Sequence, residues 1–249
     1  TNGLDLALEG MQRDNYDVKA LNLQQIGTVP SDAAAVVIAG PKQDLTPEEY
    51  RALDEYLSGG GNMVILLDPG SPPSFSALLG EWGILAADVN LADGGSSVAD
   101  QLLTPLVQRQ NGQYAPVGSY GYEITLPINV TFFPGATALA ATHRMEDRPP
   151  QTSFEPLLWT SQISWIEGNV DQPGFDPGTE IMTQYAIAAM VVACAKVSAP
   201  PTSCTSATPT TKIVAFGDSD FAANEFFTSR GNGDLFLNSV LFVTDDVEL

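Results

Sequence analysis

The sequence predicts an α/β fold, a doubly wound and mostly parallel sheet that carries a β-rich insertion. Three observations lead there. Short, unbroken apolar runs such as AAAVVIAG (Ala33–Gly40) and NMVILL (Asn62–Leu67) have the composition of strands buried on both faces. A helical pattern lies between those two runs, so strand, helix and strand follow in the order of a βαβ crossover, which is right-handed in nearly all proteins. Another apolar run near the C-terminus, Lys212–Phe216, again ends in Gly and Asp and leads towards a helical pattern.

Taken along the chain, Leu4–Arg13 reads as a helix through Leu4, Leu8 and Met11, and Tyr16–Leu23 reads as an alternating strand. After the strand at Ala33–Gly40, Thr46-Pro47-Glu48-Glu49 has the form of a capping box, with Thr46 at the N-cap, Pro47 at N1 and Glu49 at N3. Tyr50, Leu53 and Leu57 recur at helical spacing, and Gly59-Gly60-Gly61 ends the helix. Asp68-Pro69 closes the second strand, and Ser74–Trp82 reads as a helix. Residues 83–150 hold short β-like pieces, Ile124–Val130 and Ala136–Ala141, among Gly, Pro and Asn, and form the expected insertion. A strand over Tyr185–Cys194 precedes a Ser/Pro/Thr loop over residues 196–211. Asp234 stands where it caps a last helix running through Leu235, Asn238, Leu241 and Phe242. No repeat and no linker divides the chain, so residues 1–249 read as one domain.

Charge excludes one class of partner. Asp and Glu number 30 against 10 Lys and Arg, a formal net charge of −20, and no window supplies the basic face that a phosphate backbone needs. Anionic lipid is disfavoured for the same reason. The most apolar stretch, Tyr185–Ala195, is about half the roughly 18–20 residues that span a bilayer. The chain opens inside a helical pattern, so it is expected to be part of something longer, with any signal or anchor outside it. Cys194 and Cys204 bracket AKVSAPPTS, a short loop suited to closure by a disulfide, which implies an oxidising, extracytoplasmic compartment. Neither cysteine has a metal-ligand partner nearby.

In open α/β sheets, sites gather beyond the carboxyl ends of the strands. Three such ends are readable: Gly40-Pro41-Lys42, Asp68-Pro69-Gly70 and Gly217-Asp218-Ser219-Asp220. Lys42, Asp68, Asp218, Ser219 and Asp220 are therefore the candidate ligand-binding residues. Asp68, Asp218 and Asp220 could converge on a divalent cation and support metal-dependent hydrolysis. The competing reading is that these carboxylates cap backbone N–H groups, which Asp218-Ser219-Asp220 ahead of FAANEFF favours. His143, the one histidine, lies in a polar loop-like stretch, ATHRMEDRPP, and no G-x-S-x-G or G-x-C-x-G elbow follows a strand. No G-x-x-x-x-G-K-[ST] loop is present, so the chain does not itself hydrolyse nucleotides. Trp159 and Trp165 flank TSQIS and read as core or sheet-edge anchors in preference to an exposed aromatic surface. Gly217 suits a sharp turn after its strand. Asn224, Asn232 and Asn238, with Asp218, are suited to knitting the last strand to the last helix through backbone groups. These residues indicate no catalytic group, resident metal or cofactor.

Three stretches together carry a family resemblance. VVIAGPKQDLTPEEYRALDEYLSGGGNMVILLDP (Val36–Pro69) resembles the extracytoplasmic domain of gliding-motility-type auxiliary components of ABC transporters, the GldG-like proteins. Leu157, Leu158, Thr160, Ser161, Ser164, Trp165 and Glu167 match a second segment of that family. Gly217, Asp218, Ser219, Asp220, Phe221, Asn224, Gly231, Asn232, Asp234, Leu235, Leu237 and Asn238 match its closing pattern. The chain departs from it at Phe242, where Trp is expected, and in lacking a G-H-G-E-type strand end before the first helix. The resemblance implies a flavodoxin-like or class I glutamine-amidotransferase-like domain outside the membrane, tethered by transmembrane helices beyond this chain. It further implies work beside an ABC permease and ATPase, or a paired auxiliary protein, with no family catalytic residues to carry over. What such a domain binds does not follow from its fold.

Overall fold

A computed structural model describes residues 3–99, 101–142, 153–195 and 208–244. The first helix, α1 (Asp5–Arg13), and the short α2 (Leu23–Ile26) precede β1 (Val36–Ala39), α3 (Pro47–Ser58) and β2 (Met63–Leu66). The Thr46 hydroxyl accepts from the Glu49 amide while the Glu49 carboxylate accepts from the Thr46 amide, so both halves of the capping box form. β1 and β2 pair in parallel across α3. The α4 helix (Pro73–Glu81) leads into the central region, which holds β3 (Ile84–Ala86), β4 (Asn90–Asp93), β5 (Ser97–Val98), β6 (Gln101–Gln108), α5 (Tyr120–Thr125), β7 (Val130–Phe132) and β8 (Leu139–Ala141). The chain continues through β9 (Ser153–Trp159), β10 (Ser164–Glu167), β11 (Ala186–Cys194), β12 (Thr210–Phe216) and α6 (Asn232–Thr244).

Seven strands form the main sheet in the order β1-β2-β12-β11-β8-β3, with β9 also paired to β11. Helices cover both faces. Met63, Ile65 and Leu67 point into one core with Leu53 and Leu57 of α3 and Phe75, Leu78 and Leu79 of α4. Val64 and Leu66 point into the other with Ala7 and Met11 of α1 and Leu235, Phe236 and Val240 of α6. The strict alternation of β2 between two cores explains its wholly apolar sequence. Two small sheets lie beside it: β5-β6-β7, built wholly from the central region, and β4-β10, which joins the central region to the later β10.

Five sequence expectations need correction. The sheet is mixed: only the β1-β2 and β2-β12 pairs are parallel, while β11 pairs antiparallel with β12, β9 and β8, and β3 with β8. A parallel neighbour requires a crossover, and no helix among the described residues separates β11 from β12. Tyr16–Leu23 forms no strand. Its alternation is real, since Tyr16 and Val18 rest on the core while Asp17 and Lys19 face solvent and pair with each other. The Tyr16 hydroxyl bonds Thr244 Oγ1 at 2.8 Å, so this segment is fixed to α6 and has no strand partner. Ile124 and Thr125 end the α5 helix, and a strand begins only at Val130. The Asn238 side chain of α6 donates to the carbonyls of Ile124 and Leu126, a tertiary contact that fixes this end of α5. The last helix, α6, starts at Asn232, so Asp234 lies in its first turn, where its charge complements the helix dipole, and not ahead of the helix as a cap.

Gly217 was expected to provide a sharp turn, yet its φ is not among the positive ones. Its importance is proximity. The Gly217 amide donates to the Ile187 carbonyl at 2.7 Å, its own carbonyl accepts from the Thr137 amide at 2.6 Å, and a Cβ would collide with the Thr137 carbonyl oxygen. Gly217→Ala should therefore lower stability by about 2 kcal/mol, seen as a melting temperature reduced by roughly 5 °C. An unchanged melting temperature would show that the close approach of Thr137 to Gly217 can relax without cost.

Candidate functional site

β1, β2 and β12 are adjacent and parallel, so the chain segments that follow them emerge side by side. This brings Lys42, Asp68 and Ser219 together. Asp68 Oδ1 accepts from the Ser219 amide at 2.7 Å, and Oδ2 accepts from the Ser219 hydroxyl at 2.9 Å and from Lys42 Nζ at 2.9 Å. The Asp68 amide in turn donates to the Ser71 hydroxyl at 2.9 Å. Gly40 makes this closeness possible: it sits at φ +53°, and a Cβ there would lie 2.7 Å from the Ser219 hydroxyl oxygen.

A cleft of about 410 Å³ opens over these residues, lined also by Leu4, Ala39, Pro69 and Ala223. Its far wall comes from the central region, through Asn90, Pro134 and Gly135. Sequence reasoning missed that wall, because nothing in the spacing of residues 83–150 indicates that they fold back over the strand ends. Asp220 also lines the cleft. Burial and the charge of Asp68 hold its carboxyl above the usual range, with Lys42 pulling the other way.

Asp218 does not join this group. Its side chain is fully buried, and its two oxygens accept from the amides of Asp220 at 3.0 Å and Phe221 at 3.2 Å. Burial pushes its carboxyl well up, the charges of Asp220 and Asp68 add to this, and the two amide bonds oppose it. The alternative in which the three carboxylates meet at a cation is not the arrangement seen, and the capping reading holds for Asp218. Asp218 faces inward and Asp68 is occupied by Ser219 and Lys42. No group of three or more potential ligands capable of holding a metal occurs among the described residues.

The other predicted residues have structural surroundings. The Asn224 side-chain oxygen accepts from the Leu6 amide at 2.9 Å and its Nδ2 donates to Asp5, which ties the β12 end to α1. Asn232 is fully buried; its oxygen accepts from the Phe132 amide and its Nδ2 donates to the carbonyls of Phe132 and Phe221. Trp165 is buried, with its indole N–H donating to Glu167 at 3.0 Å, and Trp159 is half-buried in β9. Cys194 ends β11 in the core, while Cys204 and His143 lie outside the described residues. Two tethers escaped the sequence reading. Buried Asp93 accepts from the amides of Gly95, Ser96 and Ser161. Arg109 donates to the carbonyls of Thr125 and Ile128 and stacks 4.5 Å above the Tyr114 ring.

Residues 6–243 match the sequence family described as "ABC-type uncharacterized transport system". The chain belongs to this family of ABC transport-system auxiliaries. The family name implies association with an ABC transport system, and the match spans nearly the whole chain. A search of curated proteins returns no match. Among solved structures, the chain is similar to the mmIFT52 N-terminal domain, at 15% identity and a TM-score of 0.62, covering 100% of this chain and 93% of that one. A thua-like protein from Bacteroides uniformis ATCC 8492 aligns at 14% identity and a TM-score of 0.47, covering 96% and 83% of the two chains. At these identities the first likeness concerns fold alone.

The titration of Asp220 gives a direct test of this electrostatic picture. A carboxyl whose folded pKa is raised favours the native state at low pH, and that advantage disappears as pH climbs through the folded value. Asp220→Asn removes the titration. Its melting temperature relative to the native chain should therefore rise steadily from about pH 4 upward, the usual carboxylate range. A pH-independent difference would place Asp220 in open solvent.

Proposed function

We propose that this family member is a non-enzymatic extracytoplasmic module that binds or docks within an ABC-type transport system, with the GldG-like, motility-related branch as its place in the family. The observation that carries this reading is the closed set of bonds at the strand ends. Asp68, Lys42 and Ser219 are engaged with one another, and Asp218 is turned onto backbone amides. Hydrolysis needs an activated nucleophile, a positioned base or a metal-bound water. Ser219 donates to a carboxylate that a lysine already neutralises, so no base is aimed at a nucleophile here. The cleft above this network is a place to hold a group, with polar residues on its floor and small apolar ones on its sides.

The flavodoxin-like and glutamine-amidotransferase-like kinship belongs to the same proposal, supported by the parallel β1-β2-β12 edge and by helices on both faces. So does a membrane tether supplied by another part of the full-length protein. No helix among the described residues is long and apolar enough to cross a membrane. Permease and ATPase subunits, or a paired auxiliary protein, are the proposed partners.

Two outcomes follow. The full-length protein should co-purify with the permease and ATPase of its own system, and the isolated chain should show no amidase, phosphatase or nucleotidase turnover with or without Mg²⁺ or Mn²⁺. Turnover that vanishes in Asp68→Asn or Asp220→Asn would instead support a metal-dependent hydrolase. The compartment is tested separately. We propose a Cys194–Cys204 disulfide, so mass analysis of natively exported protein under non-reducing conditions should find no free thiol; two free thiols would contradict the extracytoplasmic assignment.

A further inference from the structure

Five of the exposed large apolar side chains belong to one short unit formed by β10 and the loop that follows it: Ile163, Ile166, Val170, Ile181 and Met182, with Ile181 74% exposed. The unit is firmly built. Ser164 and Thr183 form an antiparallel bridge, and the Thr183 amide donates to the Ser164 carbonyl at 2.8 Å, which brings the Ile181 end of the loop back beside β10. Beneath, the Glu167 carboxylate accepts from the Trp165 indole and from the amides of Asn169 and Gly174, while Phe175 packs edge-on against Trp165 at 5.6 Å. Glu180 accepts from the amides of Gly168 and Asp176. Apolar side chains on a loop held this way are presented without a large ordering cost on binding.

Charge identifies the occupant. Residues 153–195 contain Glu155, Glu167, Asp171, Asp176 and Glu180 and no Lys or Arg. Asp171 and Asp176 are exposed, and the ion pairs among the described residues all lie elsewhere, at Asp14, Asp17, Asp68 and Glu55. A second copy of this chain would set the same acidic rim against itself across a two-fold interface. An anionic membrane surface would be repelled. We propose that the β10 face is a docking surface for an amphipathic protein segment bearing Lys or Arg beside apolar residues. The apolar side chains would supply the contact area, and Asp171 and Asp176 the steering and the selectivity. This deepens the reading of the chain as an interaction module and rests on it; none of the five apolar residues lines the strand-end cleft, although Glu167 of β10 pairs with Asn90 of the cleft wall.

The probe is a short amphipathic Leu/Lys peptide, compared with a Ser/Lys peptide of equal charge and a Leu/Glu peptide, each titrated into the 249-residue chain with methyl NMR detection. The Leu/Lys peptide should bind and shift the methyl signals of Ile163, Ile166, Ile181 and Met182, and the other two should bind at least about tenfold more weakly. Ile166→Ser with Ile181→Ser should weaken binding about tenfold at an unchanged melting temperature, and Asp171→Asn with Asp176→Asn should flatten its salt dependence. Equal binding of Leu/Lys and Ser/Lys, or shifts elsewhere, would reduce the interaction to the general charge of the chain and overturn the proposal. Concentration-dependent self-association through the same methyls, or binding to anionic vesicles, would overturn it in favour of those occupants. Peptide binding that persists while co-purification with the transporter fails would sink the transport reading and leave the surface standing.

Discussion

All nine residues of β11 are buried, and both of its edges are paired, to β12 on one side and to β9 and β8 on the other. From Ala188 onward its side chains alternate between the two cores, Ala188, Met190 and Val192 on one face and Ala189, Val191 and Ala193 on the other, after an irregularity that puts Ile187 on the first face as well. The parallel edge and the antiparallel half of the sheet meet at its neighbour β12, which is parallel to β2 on one side and antiparallel to β11 on the other. The beginning of β11 is fixed by Gly217, whose amide closes on Ile187 while Thr137 closes on Gly217. With that junction set, the ends of β1, β2 and β12 are held side by side, and the central region folds its Asn90 and Pro134–Gly135 wall across them.

The cleft is thus a consequence of sheet topology, and its chemistry is set by what the three strand ends bring. Asp68 is the hub, joining the β2 end to Ser219 after β12 and to Lys42 after β1. Its two oxygens are thus already engaged by an amide, a hydroxyl and an ammonium. Asp220 also lines the cleft, and burial and the charge of Asp68 raise its pKa while Lys42 opposes them. The proposed reading, recognition in place of turnover, rests on these engaged groups and suits the auxiliary role that the family implies.

Where local rules governed the structure, the sequence was readable. The capping box at Thr46–Glu49, the parallel pair around it and the apolar runs of β2, β11 and β12 all express short-range chemistry. The convergence of Lys42, Asp68 and Ser219 was legible because strand ends in such sheets share one edge. Long-range contacts decided the remainder. The direction of β11 depended on its connection to β12, the helix at Tyr120–Thr125 is anchored at one end by Asn238, and the alternation of Tyr16–Leu23 came from lying on the core without a strand partner. Asp218 was legible too: its place ahead of FAANEFF favours a capping carboxylate, and its oxygens accept from the amides of Asp220 and Phe221. What the sequence did not separate is Asp220, two residues on, which lines the cleft instead.

The central claim is that the chain acts on its transport system by association and not by chemistry of its own. The most direct measurement is ATP hydrolysis by the purified permease and ATPase in lipid nanodiscs, with and without the full-length protein. The account predicts a changed rate of ATP turnover, with the added protein remaining chemically unaltered and bound. An identical rate with no stable association would contradict it.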